Sequence, residues 1–199
     1  MRQEAAPQLA RRLFHLCGGS LFPILALFLS RGMVLLGLSV ATGGWLAMEA
    51  ARFVFPGVNC WLLSHFSMLF REQERSRLTG SSYLLISSLL AFSLFDKGIA
   101  IAAVFFLAAG DALAGIIGDR FGRRIIFNKT LEGGLAFLVC SLVIGMVLTT
   151  ADLDLFPSLV VAGAIAACAV ELLPLPLDDN LTVPLFSGGV MAAMEFFFG

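Results

Sequence analysis

The sequence predicts an all-α fold: a polytopic membrane helix bundle of about seven transmembrane helices with a cytoplasmic amino terminus, forming one integral-membrane domain over residues 1–199. Three observations carry this expectation. Hydrophobic residues make up 59% of the chain and the mean hydropathy is +0.94, far above an ordinary soluble domain. Only 14% of residues are charged, and they fall in short clusters separated by apolar runs of roughly 16 to 20 residues, about the length that crosses a hydrocarbon core. The basic residues, finally, gather on one side of the spans so defined.

Taken in order, the apolar windows fall at 13–30, 33–51, 81–95, 98–118, 131–150, 156–173 and 183–198. The first follows Arg11 and Arg12 as a signal sequence would, but Leu29-Ser30-Arg31 offers no small-x-small cleavage site, so a retained span is expected. Pro56-Gly57 ends the second span, and the run at 58–70 is too short to cross and reads as an interfacial or re-entrant helix. Lys97-Gly98 reads as a tight turn between the third and fourth spans. Pro174 and Pro176 stop the sixth, while Asp178, Asp179 and Asn180 are capping candidates for the last, with Pro184 near its first turn.

With this parity Arg2, Arg11, Arg12, Arg52, Arg71, Arg75, Arg77, Arg120, Arg123, Arg124 and Lys129 share the amino-terminal side, leaving Arg31 and Lys97 opposite. The positive-inside rule makes the first side cytoplasmic. Counting 58–70 as a span would move three of these arginines outside. A net charge of −1 without a basic tail argues against nucleic acid as a partner. Cys17, Cys60, Cys140 and Cys168 form no CxxC pair and read as small hydrophobes.

Asp111 is the most informative residue, a carboxylate well inside the fourth span, where an unpaired charge costs several kcal/mol and calls for a partner, a cation or a polar cavity. Gly110, Ala114 and Gly118 recur every four residues and suit close helix packing. The loop GDRFGRRIIFNKTLEGG, from Gly118 to Gly134, combines glycines that admit close backbone approach with Arg120, Arg123, Arg124 and Lys129, a candidate polyphosphate cradle. It is not a Walker A loop, since no glycine precedes Lys129. Lys129, Thr130, Glu132 and Gly133 set a cation, a hydroxyl and a carboxylate at a helix amino terminus, which favours anions. Glu171, Asp178, Asp179 and Asn180 add oxygen ligands on the same side, suited to a hard cation such as Mg2+. Arg12 and His15 share the first helix; Glu49 with Arg52 and Arg71 with Glu74 are i, i+3 pairs that serve equally as helix-end salt bridges or ligand contacts. Thr79 opens the third span, and Ser81, Ser82, Ser87 and Ser88 either line a lipid path or serve packing.

The order of these motifs resembles the CTP-dependent lipid-alcohol kinases, a group including dolichol, phytol and farnesol kinases and the yeast-type diacylglycerol kinase. RRLFH at 11–15, Glu49 with Arg52, Arg71 with Glu74, TGSSYLL from Thr79 to Leu85, GDALAGIIGDRFGRR leading to KTLEGG, and Asp179-Asn180-Leu181 with Pro184 carry the resemblance, which covers nearly the whole chain. It implies a single lipid-kinase domain with a cytoplasm-facing site that moves the γ-phosphoryl group of a nucleoside triphosphate, CTP, to the hydroxyl of a membrane lipid alcohol such as a polyprenol, a phytol-like alcohol or diacylglycerol. On this reading Arg12, His15, Gly118, Arg123, Lys129, Thr130 and Gly133 are candidates for the phosphates, while Asp111, Glu132 and Asp179 are candidates for Mg2+ or for the hydroxyl proton, with Asp111, Lys129 and Glu132 the catalytic set. Two alternatives stay open: a CTP-dependent cytidylyltransferase making a CDP-lipid, although the chain lacks the terminal Lys-Asp and Pro-Gly-His-Gly-Gly run of the CDP-diacylglycerol synthases, and a small ion-coupled transporter using Asp111.

Overall fold

The protein is seen in a computed structural model that describes residues 5–66 and 72–198. Helices α1 (Ala5–Phe28) and α2 (Arg31–Val54) are joined at Ser30, whose hydroxyl accepts the Met33 N–H and so caps α2. Pro56 opens the short α3 (Pro56–His65), and a 3-10 turn (Glu72–Arg75) leads to α4 (Gly80–Leu94), capped by Thr79. After α5 (Lys97–Phe121) comes a small antiparallel hairpin of β1 (Ile125–Ile126) and β2 (Lys129–Thr130), then α6 (Leu131–Leu148), α7 (Pro157–Leu172) and α8 (Asp179–Phe198).

Every expected span is a helix: α1, α2, α4, α5, α6, α7 and α8. By length and composition α2, α5 and α6 can each cross a membrane, and α4 and α7 are shorter apolar helices. Exposed apolar side chains agree, since Leu135, Val139, Val143 and Val147 form an unbroken stripe on the outside of α6. This is the bundle of an integral membrane protein. The interfacial run is α3, ten residues from Pro56 to His65, and its expected last residues together with Arg71 lie outside the described residues. Two local expectations are corrected. The turn between α4 and α5 is made by Phe95 and Asp96, with Lys97 and Gly98 already helical because the Asp96 carbonyl accepts the Ala100 N–H. The basic loop, expected from Gly118, begins only after α5 ends at Phe121 and contains the hairpin, closed by the Leu131 N–H to the Arg124 carbonyl at 2.8 Å and turned at Phe127, whose φ is 54°.

Helix α5 is the centre of the bundle. Its residues from Gly98 to Val104 are all buried, and it packs against α1, α4, α6, α7 and α8. In a bilayer, lipid tails are as apolar as leucine, so close packing through small residues does the work that water does for soluble cores. Gly110 admits the Phe137 ring of α6, and Gly163 of α7 admits Met191 of α8. Pro184 lies inside α8 and cannot donate to the carbonyl of Asn180; the Ser87 hydroxyl donates to that carbonyl instead, at 2.6 Å, tying α4 to α8.

Alternating helix direction sorts the polar residues by end. Arg31, Asp96, Asp152, Asp154 and Glu195 occupy one end, where the Arg31 guanidinium donates to the carbonyls of Phe92 and Ser93, both at 2.9 Å, and so caps α4. The hairpin, Asp178–Asn180 and the starts of α1, α4, α6 and α8 occupy the other.

Candidate active site

At that second end Lys129 is the hub. Antiparallel pairing of Ile126 with Lys129 positions it, and its Nζ donates to Glu171 Oε1 of α7 at 2.9 Å and to Asp179 Oδ2 of α8 at 2.7 Å. Burial alone would lower the lysine pKa, but the Glu171 and Asp179 carboxylates outweigh it and hold the ammonium above its ordinary value. Glu171 is 4% exposed, and its second oxygen, Oε2, is buried with no hydrogen-bond partner.

Asp111 lines a cavity of about 250 Å³ together with Lys129, Thr130, Glu171, Arg12 and Gly118. It forms no hydrogen bond or ion pair among the described residues, and it lies near enough to Glu171 and Asp179 to repel both. α5 runs on to Phe121, so Asp111 sits about 15 Å from its end at 1.5 Å per residue, deeper than the sequence implied. Ala114, Gly115 and Gly118 follow Asp111 at i+3, i+4 and i+7 on one helix face and line the same cavity. Gly115 leaves room for the Arg12 guanidinium, which any Cβ there would strike, and Arg12 pairs with Asp119 at 2.7 Å. Gly118 faces the Thr130 hydroxyl, and Gly133 comes close to the Ala114 carbonyl, so α5 and α6 meet through glycine at the cavity wall.

The other expected residues divide into two groups. Thr130 accepts the Gly133 N–H at 3.2 Å as the α6 cap, and Glu132 accepts the backbone N–H groups of Arg123 at 3.0 Å and Arg124 at 3.3 Å. The expected trio of cation, hydroxyl and carboxylate therefore separates: Lys129 turns to the acids of α7 and α8, while Glu132 clamps the loop. Arg123 itself is exposed. Asp178 caps α8, accepting the Asn180 N–H at 3.0 Å and the Asn180 amide at 2.7 Å.

Glu49 and Arg52, both 1% exposed, form a buried pair that builds the α3–α4 connection. Arg52 donates to the carbonyls of Glu74 at 2.6 Å and Arg77 at 2.8 Å; Glu49 Oε1 accepts the hydroxyls of Thr79 at 2.8 Å and Ser82 at 3.2 Å. The Glu74 carboxylate accepts the Gly80 N–H at 2.7 Å. The Glu49–Arg52 contacts are those of a structural pair, whereas Arg71, the expected partner of Glu74, lies outside the described residues. His15 and the Asn180 amide flank Gly80, joining α1 and α8 across the start of α4. Asp119, Gly115 and Trp45 are not among the candidates the sequence offers; the first two are signalled by their place on the Asp111 face or beside it, whereas nothing local marks Trp45.

Among the described residues no three His, Cys, Asp or Glu side chains converge closely enough to enclose a metal by themselves. The donor set nonetheless fits a hard cation shared with phosphate oxygens, as Mg2+ is commonly held by one or two carboxylates plus substrate. Among the described residues Asp111 has no hydrogen-bond or ion-pair partner and Glu171 has an orphaned oxygen, while Lys129 is shared between Glu171 and Asp179.

The fold and site thus define a polytopic membrane protein with a charged cavity, lined by Arg12, Asp111, Lys129 and Glu171, at one end of its bundle. Its relatives narrow that class. The chain is similar to an uncharacterized protein of Rickettsia prowazekii, with 27% identity across 88% of each chain. It is also similar to the CTP-dependent diacylglycerol kinase 1 of Eremothecium gossypii, with 27% identity over 71% of this chain and 52% of that enzyme, and to a probable chloroplastic phytol kinase of Triticum aestivum, with 30% identity over 68% of this chain and 56% of that one. By sequence the chain is a homologue of the CTP-dependent lipid kinases, and the alignments span just over half the length of these two enzymes. No family model and no solved structure matches it.

Proposed function

We propose that this protein is a lipid-alcohol kinase that transfers the γ-phosphoryl group of CTP to the hydroxyl of a membrane lipid, at a site on the cytoplasmic face of the bilayer. The observation that carries the reading is one cavity at the mouth of the bundle that Asp111 and Glu171 share with Lys129 and Arg12, with Asp179 bonded to Lys129 beside it. Phosphoryl transfer asks a protein chiefly for positioning and charge stabilisation, and these residues supply both. The similarity to CTP-dependent diacylglycerol kinases supports CTP as the donor, and the excess of arginines on this side supports the cytoplasmic placement.

Arg12 and Lys129 bind the polyphosphate, with the loop at Arg123 closing over it and the Thr130 cap and Gly133 letting the phosphates approach the α6 amino terminus. Lys129 exchanges part of its contact with Asp179 for a phosphate oxygen when CTP binds. Glu171, through its orphaned oxygen, and Asp179 would hold Mg2+ together with phosphate oxygens, and the ion would supply charge neutralisation on the triphosphate. Asp111, which lines the cavity without a hydrogen-bond or ion-pair partner among the described residues, takes the proton as the lipid hydroxyl oxygen bonds to the γ-phosphorus; the bond from that phosphorus to the β–γ bridging oxygen breaks, and CDP leaves. Glu132 holds the loop that carries Arg123.

Incubation of the purified protein in lipid with γ-labelled CTP and Mg2+ tests the proposal. Label carried into chloroform-soluble lipid supports it; labelled pyrophosphate with a CDP-lipid product would establish the cytidylyltransferase instead.

A further inference from the structure

A second cavity lies beside the polar one and has the opposite character. Phe14 of α1, Trp45 and Met48 of α2, and Leu62 of α3 with Phe66 just beyond it form apolar walls. At one end the lining turns polar, with His15, Glu74, Thr79 and Ser81. Those four residues come from α1, the 3-10 turn and the start of α4, the segment that the buried Glu49–Arg52 pair fixes in place. Trp45 is itself fixed, since its indole N–H donates to Thr79 Oγ1 at 3.3 Å and Ser82 Oγ at 3.1 Å. An aromatic and aliphatic groove ending in hydroxyl, imidazole and carboxylate groups is complementary to one kind of molecule, a hydrocarbon chain that ends in a hydroxyl.

Position strengthens the match. His15, at the polar end of this groove, is one helical turn from Arg12 in the phosphate cavity, about 4.5 Å along α1. Gly80, at the start of α4, is flanked by His15 and by Asn180, the neighbour of Asp179. The polar end of the groove therefore lies at the α1–α4–α8 seam, one turn of α1 from the phosphate cavity. Phe14, Trp61 and Phe66 are 43%, 54% and 44% exposed on the outer side, so the groove borders the surface that faces lipid. Of the four serines considered for a lipid path, Ser82, Ser87 and Ser88 are buried and bonded inward, and Ser81 alone faces the groove.

We infer that the groove between α1, α2, α3 and α4 is the acceptor site, holding the head end of one membrane lipid with its chain against Phe14, Trp45, Met48 and Leu62 and its primary hydroxyl at His15 and Ser81, facing the phosphate cavity. The inference rests on the lipid-kinase reading for what happens to that hydroxyl, and on the groove alone for where it binds. His15 is a positioning residue here, orienting the hydroxyl by hydrogen bonding.

Photo-crosslinking of the full chain in nanodiscs, without nucleotide, tests the location. Two diazirine probes are used, a polyprenol analogue and a diacylglycerol analogue, each labelled near its hydroxyl end. The expected result is adducts concentrated on peptides containing Phe14, Met48 and Leu62, competed by the matching unlabelled alcohol, with the better-competed probe identifying the lipid class. Adducts spread over α6, α7 and α8, or insensitive to competitor, would overturn the inference. Met48→Trp, which fills the groove, should raise the acceptor KM about tenfold or more while leaving the CTP KM unchanged; an unchanged acceptor KM counts against the groove. Competed adducts in the groove without phosphoryl transfer from any nucleotide would sustain the binding site and refute the kinase reading, so the two fail separately.

Discussion

Replacing Lys129 with alanine strands two carboxylates. The ammonium contacts Glu171 and Asp179 at 2.9 and 2.7 Å, each worth about 6 kcal/mol at an effective dielectric of about 20 before desolvation is counted. Removing one partner of a buried pair costs about 3–5 kcal/mol. The Lys129 and Asp179 side chains are 30% and 36% exposed, and solvent access reduces the expected loss to about 2–3 kcal/mol. For a chain of this size that corresponds to a fall of about 5–10 °C in Tm. Lys129→Ala should also lower kcat/KM for CTP by about 10- to 150-fold, the worth of one charge-assisted hydrogen bond to phosphate. The double variant Lys129→Ala/Glu171→Gln separates the two effects, because it removes one stranded charge without restoring a phosphate ligand. It should recover about half of the lost stability by differential scanning fluorimetry and none of the lost turnover. An unchanged Tm for Lys129→Ala, or recovery of CTP use in the double variant, would refute the reasoning.

Other perturbations have defined outcomes. Asp111→Asn keeps shape and removes charge, and because Asp111 has no partner among the described residues it should abolish turnover while leaving Tm within about 2 °C; near-normal turnover removes Asp111 from the reaction. Gly115→Ala should displace Arg12, break its pair with Asp119 and raise the CTP KM, measured by initial rates with the lipid saturating. Arg52→Ala should cost about 3–5 kcal/mol by leaving Glu49 buried and unpaired and releasing the Glu74 and Arg77 carbonyls, read as loss of folded protein on size exclusion. Since the Lys129 pKa is raised above 10.5, the lysine's share of these ion pairs is fully present below that value, wherever the carboxylates are ionised, and is lost as pH rises through the higher folded value. The pH profile of kcat/KM for CTP should therefore show no lysine limb between pH 6 and 10.

Much of this arrangement is legible in the chain, for physical reasons. Apolar runs of membrane-crossing length and the one-sided arginines define the spans, because a bilayer imposes both. Asp111 stands out because a carboxylate inside such a run needs a reason to be there. What periodicity does not reveal is pairing across helices. Lys129 meets Glu171 and Asp179, 42 and 50 residues away, only once the hairpin turns it toward α7 and α8. The same hairpin sends Glu132 to the Arg123 and Arg124 amides, although in sequence it stands closer to Lys129 than either acid does. Glu49 and Arg52 looked equally suited to a ligand, and their burial at 1% exposure is a property of the assembled bundle. Trp45 is hidden in the same way: an indole in an apolar helix carries no local mark of its place over Thr79 and Ser82.

The stoichiometry of products from CTP and a lipid alcohol, followed by phosphorus NMR with the purified protein in nanodiscs, tests the central claim most directly. The account predicts one lipid monophosphate for each CDP released, formation of both requiring Lys129 and Asp111. CDP and inorganic phosphate without lipid phosphate, or pyrophosphate with a CDP-lipid, would contradict it.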